Sequence, residues 1–434
     1  AARSAPSWGG SIGRVMARAV YSLARYAWPP VETPVAVMLV LLSAASLALG
    51  VYWSVGLWQV IRTMRTLPTA RAGLALPAPD LSVCVVVPAH NEERTIGHLV
   101  ASLRGQDHPR MRVVLALDRC TDATASVARA AIGDDDRFEV LEVAECPDDW
   151  AGKVNAVWTA VTRSPAARES DLLLFADADT TFHPGCVRAT AALLQQRGLA
   201  LLSLMSTLTA DRWFERIVQP AAGLELMYQY PLLRASRPTE RRAFANGQFI
   251  LLRADAYRRI GGHEAVREHL LEDLALAREA ARHGLPAALL LADGMLICRM
   301  YETWAEFRRG WKRIYTECAN RRPTRLRRAA LRVAVVNGLL PLAAAACLGV
   351  AIVWRDLGPV WATALPMTVA GVGLIVWLAA MVAIYRLSAA PLWSALLHPF
   401  ASFPVASILA EAARDLRSRT PTQWGGRSYV RESR

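Results

Sequence analysis

The sequence predicts a mainly parallel α/β domain set between hydrophobic segments long enough to cross a bilayer. Residues 81–300 alternate short apolar runs with charged stretches of helical period, the order expected of a sheet with helices on its faces. Within them, Leu172-Leu173-Leu174-Phe175 is an unbroken apolar run, as a strand buried on both faces requires, and it leads into two carboxylates one residue apart, Asp177 and Asp179. The 434 residues are 53% hydrophobic, and the mean hydropathy of +0.22 is high for a purely soluble chain.

Composition narrows the function classes. The net charge is +13, carried almost wholly by arginine, with Lys153 and Lys312 the two lysines. Basic residues gather at 308–332 and 414–434, next to apolar segments, which suits the anionic cytoplasmic face of a membrane. No nucleic-acid-binding motif accompanies them, so nucleic acid is not an expected partner. The seven cysteines form no C-x-x-C pair and are odd in number, which supports neither a zinc site nor a disulfide framework and favours a reducing compartment. No signal-peptide pattern is evident.

In chain order, residues 1–75 read as an N-terminal interfacial segment, with Arg14, Arg18 and Arg25 before Pro29-Pro30, and a transmembrane helix over the charge-free stretch 35–58. Arg62, Arg65 and Arg71 place the far end of that span in the cytoplasm, in competition with the basic segment ahead of it. Residues 76–300 form the cytoplasmic α/β domain. Strands are expected at 82–87, 112–117, 138–143, 172–175, 199–208, 245–252 and 289–291, with helices at 94–104, 121–131, 149–162 and 272–283. Asp122 reads as an N-cap. The apolar stretch 213–233 is expected as a helix lying against the bilayer. Residues 301–332, with Trp304, Phe307 and Trp311 among Arg308, Arg309, Lys312 and Arg313, read as amphipathic interfacial helices, apolar face in lipid and basic face toward headgroups. Residues 333–412 hold spans at 333–354 and 360–385, joined by a tight loop at Arg355-Asp356. The weaker stretch 389–410 is a fourth span or a re-entrant hairpin. The basic tail 413–434 prefers the cytoplasm and favours the hairpin.

The chemistry collects where strands end. Buried carboxylates are costly unless paired, hydrogen-bonded or metal-bound. Asp177 and Asp179, at the carboxyl end of a parallel strand, fall in the crevice where open α/β sheets bind ligands, and a hard divalent cation carrying a diphosphate suits such a pair. Lys153 follows Gly152 near a helix start, within reach of a phosphate. Each feature has a plainer reading: a turn at Pro88–Glu92, a surface lysine, an acidic pair at a helix start in Glu272-Asp273.

Taken together and in order, Pro88-Ala89-His90-Asn91-Glu92, Asp118 with Asp122, Gly152-Lys153, Asp177-x-Asp179 and Glu272-Asp273 resemble the family 2 glycosyltransferases, which adopt the GT-A fold. The resemblance runs over about 81–320. It implies that Pro88, Ala89, Asn91, Glu92, Asp118, Asp122, Lys153, Asp177 and Ala178 bind a nucleotide sugar, that Asp179 with Asp177 holds Mg²⁺ or Mn²⁺, and that Asp273, beside Glu272, is the catalytic base of an inverting transfer. Asn246, Gly247, Gln248 and Trp311 match the acceptor and sugar side. The processive members' Q-x-x-R-W motif is met at Phe307–Trp311 by its Trp alone. The run Met300–Glu306 with Gly310-Trp311-Lys312, and the tail Gln423–Tyr429, instead resemble membrane glycosyltransferases associated with hopanoid and carotenoid biosynthesis. That resemblance implies transfer of one sugar, with a UDP-hexose as the expected donor, to the hydroxyl of a membrane lipid, by an integral protein of a bacterial plasma membrane whose catalytic domain is cytoplasmic. The alternatives are a processive polysaccharide synthase and a non-catalytic membrane scaffold.

Overall fold

The computed structural model describes residues 34–237, 244–355, 360–424 and 427–429. The expected interfacial segment at 1–33, Asp356 of the exterior loop, and Gly425 and Gly426 of the tail lie outside the described residues. The chain divides into two units, one formed by the residues up to Ser54 with Leu340–Trp377, the other by Val55–Leu339 with the residues from Leu378 onward.

Helix α1 (Pro34–Thr66) leads into the α/β domain. Its strands are β1 (Val83–Ala89), β2 (Met111–Asp118), β3 (Phe138–Val143), β4 (Leu172–Ala176), β5 (Thr180–Phe182), β6 (Leu201–Met205), β7 (Thr207–Leu208), β8 (Phe249–Arg253), β9 (Ala287–Leu291) and β10 (Leu296–Cys298). Seven of them make one sheet in the order β3-β2-β1-β4-β8-β6-β9. All its pairs are parallel except those of β8, which runs antiparallel to β4 and β6. The expected α/β fold with a mostly parallel sheet is therefore present.

Both faces of this sheet are covered, which is why β1 and β4 are apolar without interruption. Alternate residues point to opposite faces. Val83, Val85, Val87, Leu172 and Leu174 pack beneath helices α2 (Ile96–Arg104) and α3 (Thr124–Ile132). Cys84, Val86, Leu173 and Phe175 pack against the other face, where helix α4 (Gly152–Arg163) brings Val154 and Val157. Helix α5 (Cys186–Gln196) joins the first layer through Val187 and Leu194. Register sets the site: Ala89 lies opposite Leu117, Val86 opposite Phe175, and Ala176 opposite Phe249. The carboxyl ends of β1, β2 and β4 and the start of β8 thus meet along one edge. A second, smaller sheet in the order β5-β10-β7 supports the loop after β4. It arises because the apolar stretch 199–208, expected as one strand, is interrupted at Ser206.

Three further expectations are corrected. The stretch 213–233 breaks into α6 (Trp213–Ile217) and α7 (Gln219–Gln229), with Pro220 in the first turn of the second, followed by a short turn of helix after Pro231. Phe214, Ala221 and Ala222 are buried in protein, while Trp213 and Tyr228 of the same stretch are exposed. Helix α8 (Glu272–Arg282) follows the expected pattern. The apolar face of helix α9 (Trp304–Cys318) is also buried in protein: Phe307, Trp311 and Tyr315 pack with Phe214 and with residues after 398. Helical periodicity shows that such a face exists but not what covers it.

Helix α10 (Pro323–Arg332) continues through a π-helical turn, Val333–Leu339, into α11 (Leu340–Trp354), and α12 spans Val360–Leu387. Residues 389–410 do not double back as a hairpin. A 3-10 turn at Leu392–Leu397 enters one helix, α13 (His398–Ser418), which runs through Pro404. The acids of α13 explain its seat: Glu411 pairs with Arg308, and Asp415 Oδ2 lies 2.6 Å from Lys312 Nζ. Two basic residues expected to face headgroups are thereby committed to protein carboxylates. The tail strands 422–424 and 427–429 pair antiparallel.

Among the described residues, four helices are long and apolar enough to cross a membrane: Pro34–Thr66, Pro323–Trp354, Ala362–Leu387 and Leu392–Ser418. Within the first unit they pack through small residues. A Cβ at Gly373 would lie 2.8 Å from the Ser46 carbonyl oxygen, and one at Gly50 would lie 3.4 Å from Gly373 Cα. Val40, Leu41, Val353 and Ile375 point outward, a surface suited to lipid.

One tight contact tests the packing of the α/β domain. A Cβ added at Gly73 would meet the Ala189 carbonyl oxygen at 2.2 Å, so Gly73→Ala forces backbone to move and is expected to cost about 1–3 kcal/mol. At Gly97 the same methyl meets only Val127 Cγ1, at 3.4 Å, so Gly97→Ala is expected to hold or raise the melting temperature. Thermal melts of both variants in detergent check the pair of outcomes.

Candidate active site

The edge where β1, β2 and β4 end is built by the turns that leave it. After Ala89 the chain turns through Asn91, which takes a left-handed φ of 59° that asparagine tolerates. Asn91 Oδ1 accepts from the Thr121 N–H at 2.8 Å, tying this turn to the loop after β2. At the end of β2, Asp118 is buried, and Arg119 donates to both its oxygens, Nε to Oδ1 at 2.8 Å and Nη2 to Oδ2 at 2.7 Å. A Cβ at position 152 would come within 2.8 Å of Arg119 Nη2, so a larger residue before Lys153 would push on the Arg119–Asp118 pair.

Lys153, in the first turn of α4, carries the bridge of the site. Its Nζ lies 2.6 Å from Asp177 Oδ1 and also bonds Glu272 Oε1, joining the end of β4 to the first turn of α8. Beside it, Asp273 is held by two backbone donors: Gly247 N–H to Oδ2 at 2.8 Å and Leu274 N–H to Oδ1 at 2.6 Å. A Cβ at Gly247 would lie 3.1 Å from Asp273 Oδ2 and 3.2 Å from Lys153 Nζ, so a side chain here would displace both charged groups by a few tenths of an ångström.

These groups surround a cavity of about 580 Å³. Of the residues expected from sequence, Pro88, Ala89, Asn91, Glu92 and Asp118 line it from the first two strands, and Lys153 lines it from α4. Asp177, Ala178 and Asp179 line it from the end of β4, Asn246, Gly247 and Gln248 from the turn before β8, and Glu272 and Asp273 from α8. Two expected residues do not reach it. Asp122 spends its oxygens on the N–H groups of Thr124 and Glu93, a tie between loops. Trp311 lies instead on a second cavity, of about 690 Å³.

That second cavity was not legible in the sequence. It is lined mainly by apolar side chains, among them Met64, Met205, Met227, Leu226, Phe244 and Leu291, drawn from elements far apart in the chain. It shares Asn246, Gln248, Leu271, Asp273, Met300 and Ile314 with the first cavity. His90, Tyr301 and Arg313 also line the first cavity. Nothing in the sequence separates Arg313 from the other basic residues around it.

Electrostatics distinguish the carboxylates. Burial, then the charges of Asp177 and Glu92, pushes Asp179 up to about 8. Its Oδ1 is buried without a hydrogen-bond partner. Burial, then Glu272, raises Asp273 to about 6. Burial works against a charged Glu272, but Lys153 outweighs it and holds the group below the usual carboxylate range. Burial likewise opposes the Lys153 ammonium, and Asp177 and Glu272 outweigh it, holding its pKa above the ordinary value. Asp177 and Asp179 thus offer hard oxygen donors, one of them unsatisfied, of the kind a divalent cation takes.

The sign of the pH effect follows. A carboxyl whose folded pKa is raised keeps a proton that the unfolded chain gives up, so stability falls as pH rises toward the folded value. With Asp179 near 8, the cation-free protein is expected to lose stability between about pH 6.5 and 8, and saturating Mn²⁺ to remove that dependence. Melts at both pH values, with and without Mn²⁺, test this; a flat cation-free profile contradicts it.

Comparison with known proteins gives this edge its context. A 4,4'-diaponeurosporenoate glycosyltransferase of Staphylococcus aureus strain MRSA252 is 29% identical over 252 residues, covering 56% of this chain and 63% of the relative, just under two thirds of its length. Among solved structures, a mannosyltransferase of Pyrobaculum calidifontis in complex with GDP-Man and Mn²⁺ superposes with a TM-score of 0.45 at 17% identity, over 86% of this chain and 98% of that one. S. aureus TarS 1–349 in complex with UDP-GlcNAc gives a TM-score of 0.40 at 14% identity, over 81% of this chain and 97% of that one. Residues 79–319, more than half of the chain and the whole of the edge described above, match the family Glycosyltransferase like family 2. The protein belongs to that family.

Proposed function

We propose that the chain moves a single sugar from a nucleotide sugar, in the first instance a UDP-hexose, to the polar end of a membrane lipid, inverting the anomeric carbon. The observation that carries this reading is the position of Asp273 on the wall shared by two cavities of opposite character, one lined by carboxylates and Lys153, the other by methionine, leucine and aromatic side chains. A polar donor and an apolar acceptor would each find a matching cavity and meet at one carboxylate. The S. aureus relative is named for action on 4,4'-diaponeurosporenoate, a carotenoid-type acceptor. Helices long and apolar enough to cross a membrane support a membrane-bound enzyme, and in this reading its catalytic domain is cytoplasmic.

In this reading Pro88, Ala89, Asn91, Glu92 and Asp118 bind the nucleoside, and Asp177 and Ala178 border the donor. Asp179, with Asp177, holds Mg²⁺ or Mn²⁺; the unsatisfied Asp179 Oδ1 supports that fit. A bound divalent cation supplies neutralisation of the charge on the departing diphosphate. Asp273 accepts the proton of the acceptor hydroxyl as that oxygen bonds the anomeric carbon and the bond to the diphosphate breaks. The N–H groups of Gly247 and Leu274 aim its carboxylate. Glu272 and Lys153 touch one another and hold the neighbouring groups in place. Asn246, Gly247, Gln248 and Trp311 lie toward the acceptor.

The test uses the full chain in detergent with native lipids, a panel of nucleotide sugars, and Mn²⁺ or Mg²⁺, with lipid products read by mass. A lipid heavier by one hexose, formed only with metal, is expected. A high-mass polymer would make the chain a processive synthase, and no turnover with no nucleotide binding would leave a scaffold. Asp273→Asn and Asp179→Asn are each expected to lower kcat by about 10²–10⁴-fold with the protein still folded, and full activity in both overturns the assignment.

Because Asp273 works only when deprotonated, kcat/KM at saturating Mn²⁺ should rise through about pH 6 and level off above it. A rate that falls over that range contradicts the role.

A further inference from the structure

The polar cavity has a charge problem that a nucleotide sugar makes worse. Glu92, Asp177, Asp179 and Asp273 face it, while Lys153 is engaged with Asp177 and Glu272. A diphosphate arriving there adds further negative charge, and a single divalent cation at Asp179 does not balance the whole.

Another strong cation also lines the cavity. Arg313 comes from α9, outside the strand edge that supplies the other polar groups, and it lies close enough to Asp177 to act on its charge. Its direction is fixed by what the rest of α9 does. Phe307, Trp311 and Tyr315 are buried against α6, α7 and α13, and Arg308 and Lys312 pair with Glu411 and Asp415 on α13. Arg313 follows Lys312 by one residue, about 100° further round the helix. It therefore leaves the face turned to α13, next to Ile314, which lines both cavities. Tyr301 lies flat over Gly310, where a Cβ would come within 2.0 Å of its hydroxyl, and also lines the cavity.

We infer that Arg313 is a phosphate-binding cation of the donor site, its guanidinium taking the diphosphate of the nucleotide sugar. The planar fork of an arginine matches phosphate oxygens in pairs. The inference rests on the polar cavity being the nucleotide-sugar site. It adds that the α9–α13 clasp, by orienting α9, sets the position of a substrate-binding group. Arg313 is a binding residue for the leaving group and stays distinct from the base, Asp273.

The experiment compares nucleoside diphosphates with monophosphates. UDP and UMP, then GDP and GMP, are titrated in the presence of Mn²⁺ into the full-length protein, Arg313→Ala, Arg313→Lys and, as a control, the exposed Arg309→Ala. The wild type should prefer the diphosphate. Arg313→Ala should weaken diphosphate binding by about tenfold to a hundredfold and leave monophosphate binding within about twofold. Arg313→Lys, which keeps the charge and the aliphatic stem, should recover part of the loss and stands in should the alanine variant fail to fold. Arg309→Ala should bind as the wild type does. Equal loss for diphosphate and monophosphate, or no loss in either Arg313 variant, overturns the role of Arg313 while leaving the donor site in place. A wild-type protein that binds none of the four nucleotides overturns the reading of the cavity and this inference with it.

Discussion

A single half-buried ammonium holds together parts of the chain that are more than a hundred residues apart. Lys153 bonds Asp177 at the end of β4 and Glu272 at the start of α8, while Gly247, from the turn before β8, passes close to its Nζ. Three carboxylates and a lysine in so small a volume are tolerable because each charge has an opposite neighbour; without Lys153, Asp177, Glu272 and Asp273 would repel one another in a poorly hydrated site. Geometry explains why this position is one of two lysines in a chain otherwise reliant on arginine. A compact point charge suits the place between two carboxylates beside the turn at Gly247.

Most of the polar site was legible in the sequence because its residues fall at the ends of strands. An apolar run that stops at Asp177 marks both a strand and the edge where ligands gather, and register then brings Ala89, Asp118 and Ala176 to that edge. The misses share a cause. Asp122 has the right type and spacing, but its oxygens are taken by Thr124 and Glu93, a matter of local geometry that sequence does not carry. The apolar cavity assembles Met64, Met227 and Trp311 from separate elements, each of which reads alone as ordinary core. The expectation that the apolar face of α9 meets lipid failed because an amphipathic period reports a hidden face and leaves open whether bilayer or protein hides it.

That failure bears on how membrane and chemistry are connected. Helix α13 is apolar enough to cross a membrane along part of its length, yet its polar end presents Glu411 and Asp415, one turn apart, to Arg308 and Lys312, also one turn apart on α9. Each pair is only partly buried and contributes little stability alone. Together with Phe307, Trp311 and Tyr315 against Val405, Ile408 and Leu409, they fix the rotation of α9 about its axis, and with it which side chains enter the cavities.

The scarcity of lysine has a consequence outside folding and binding. Among its side chains the protein has just two primary amines, Lys153 at the site and Lys312 in the clasp, and each is held by carboxylates. Amine-directed acylation of the folded protein therefore falls on the chemistry or on the clasp, so a side-chain adduct at either position reports on one of them without the background that a lysine-rich surface would give.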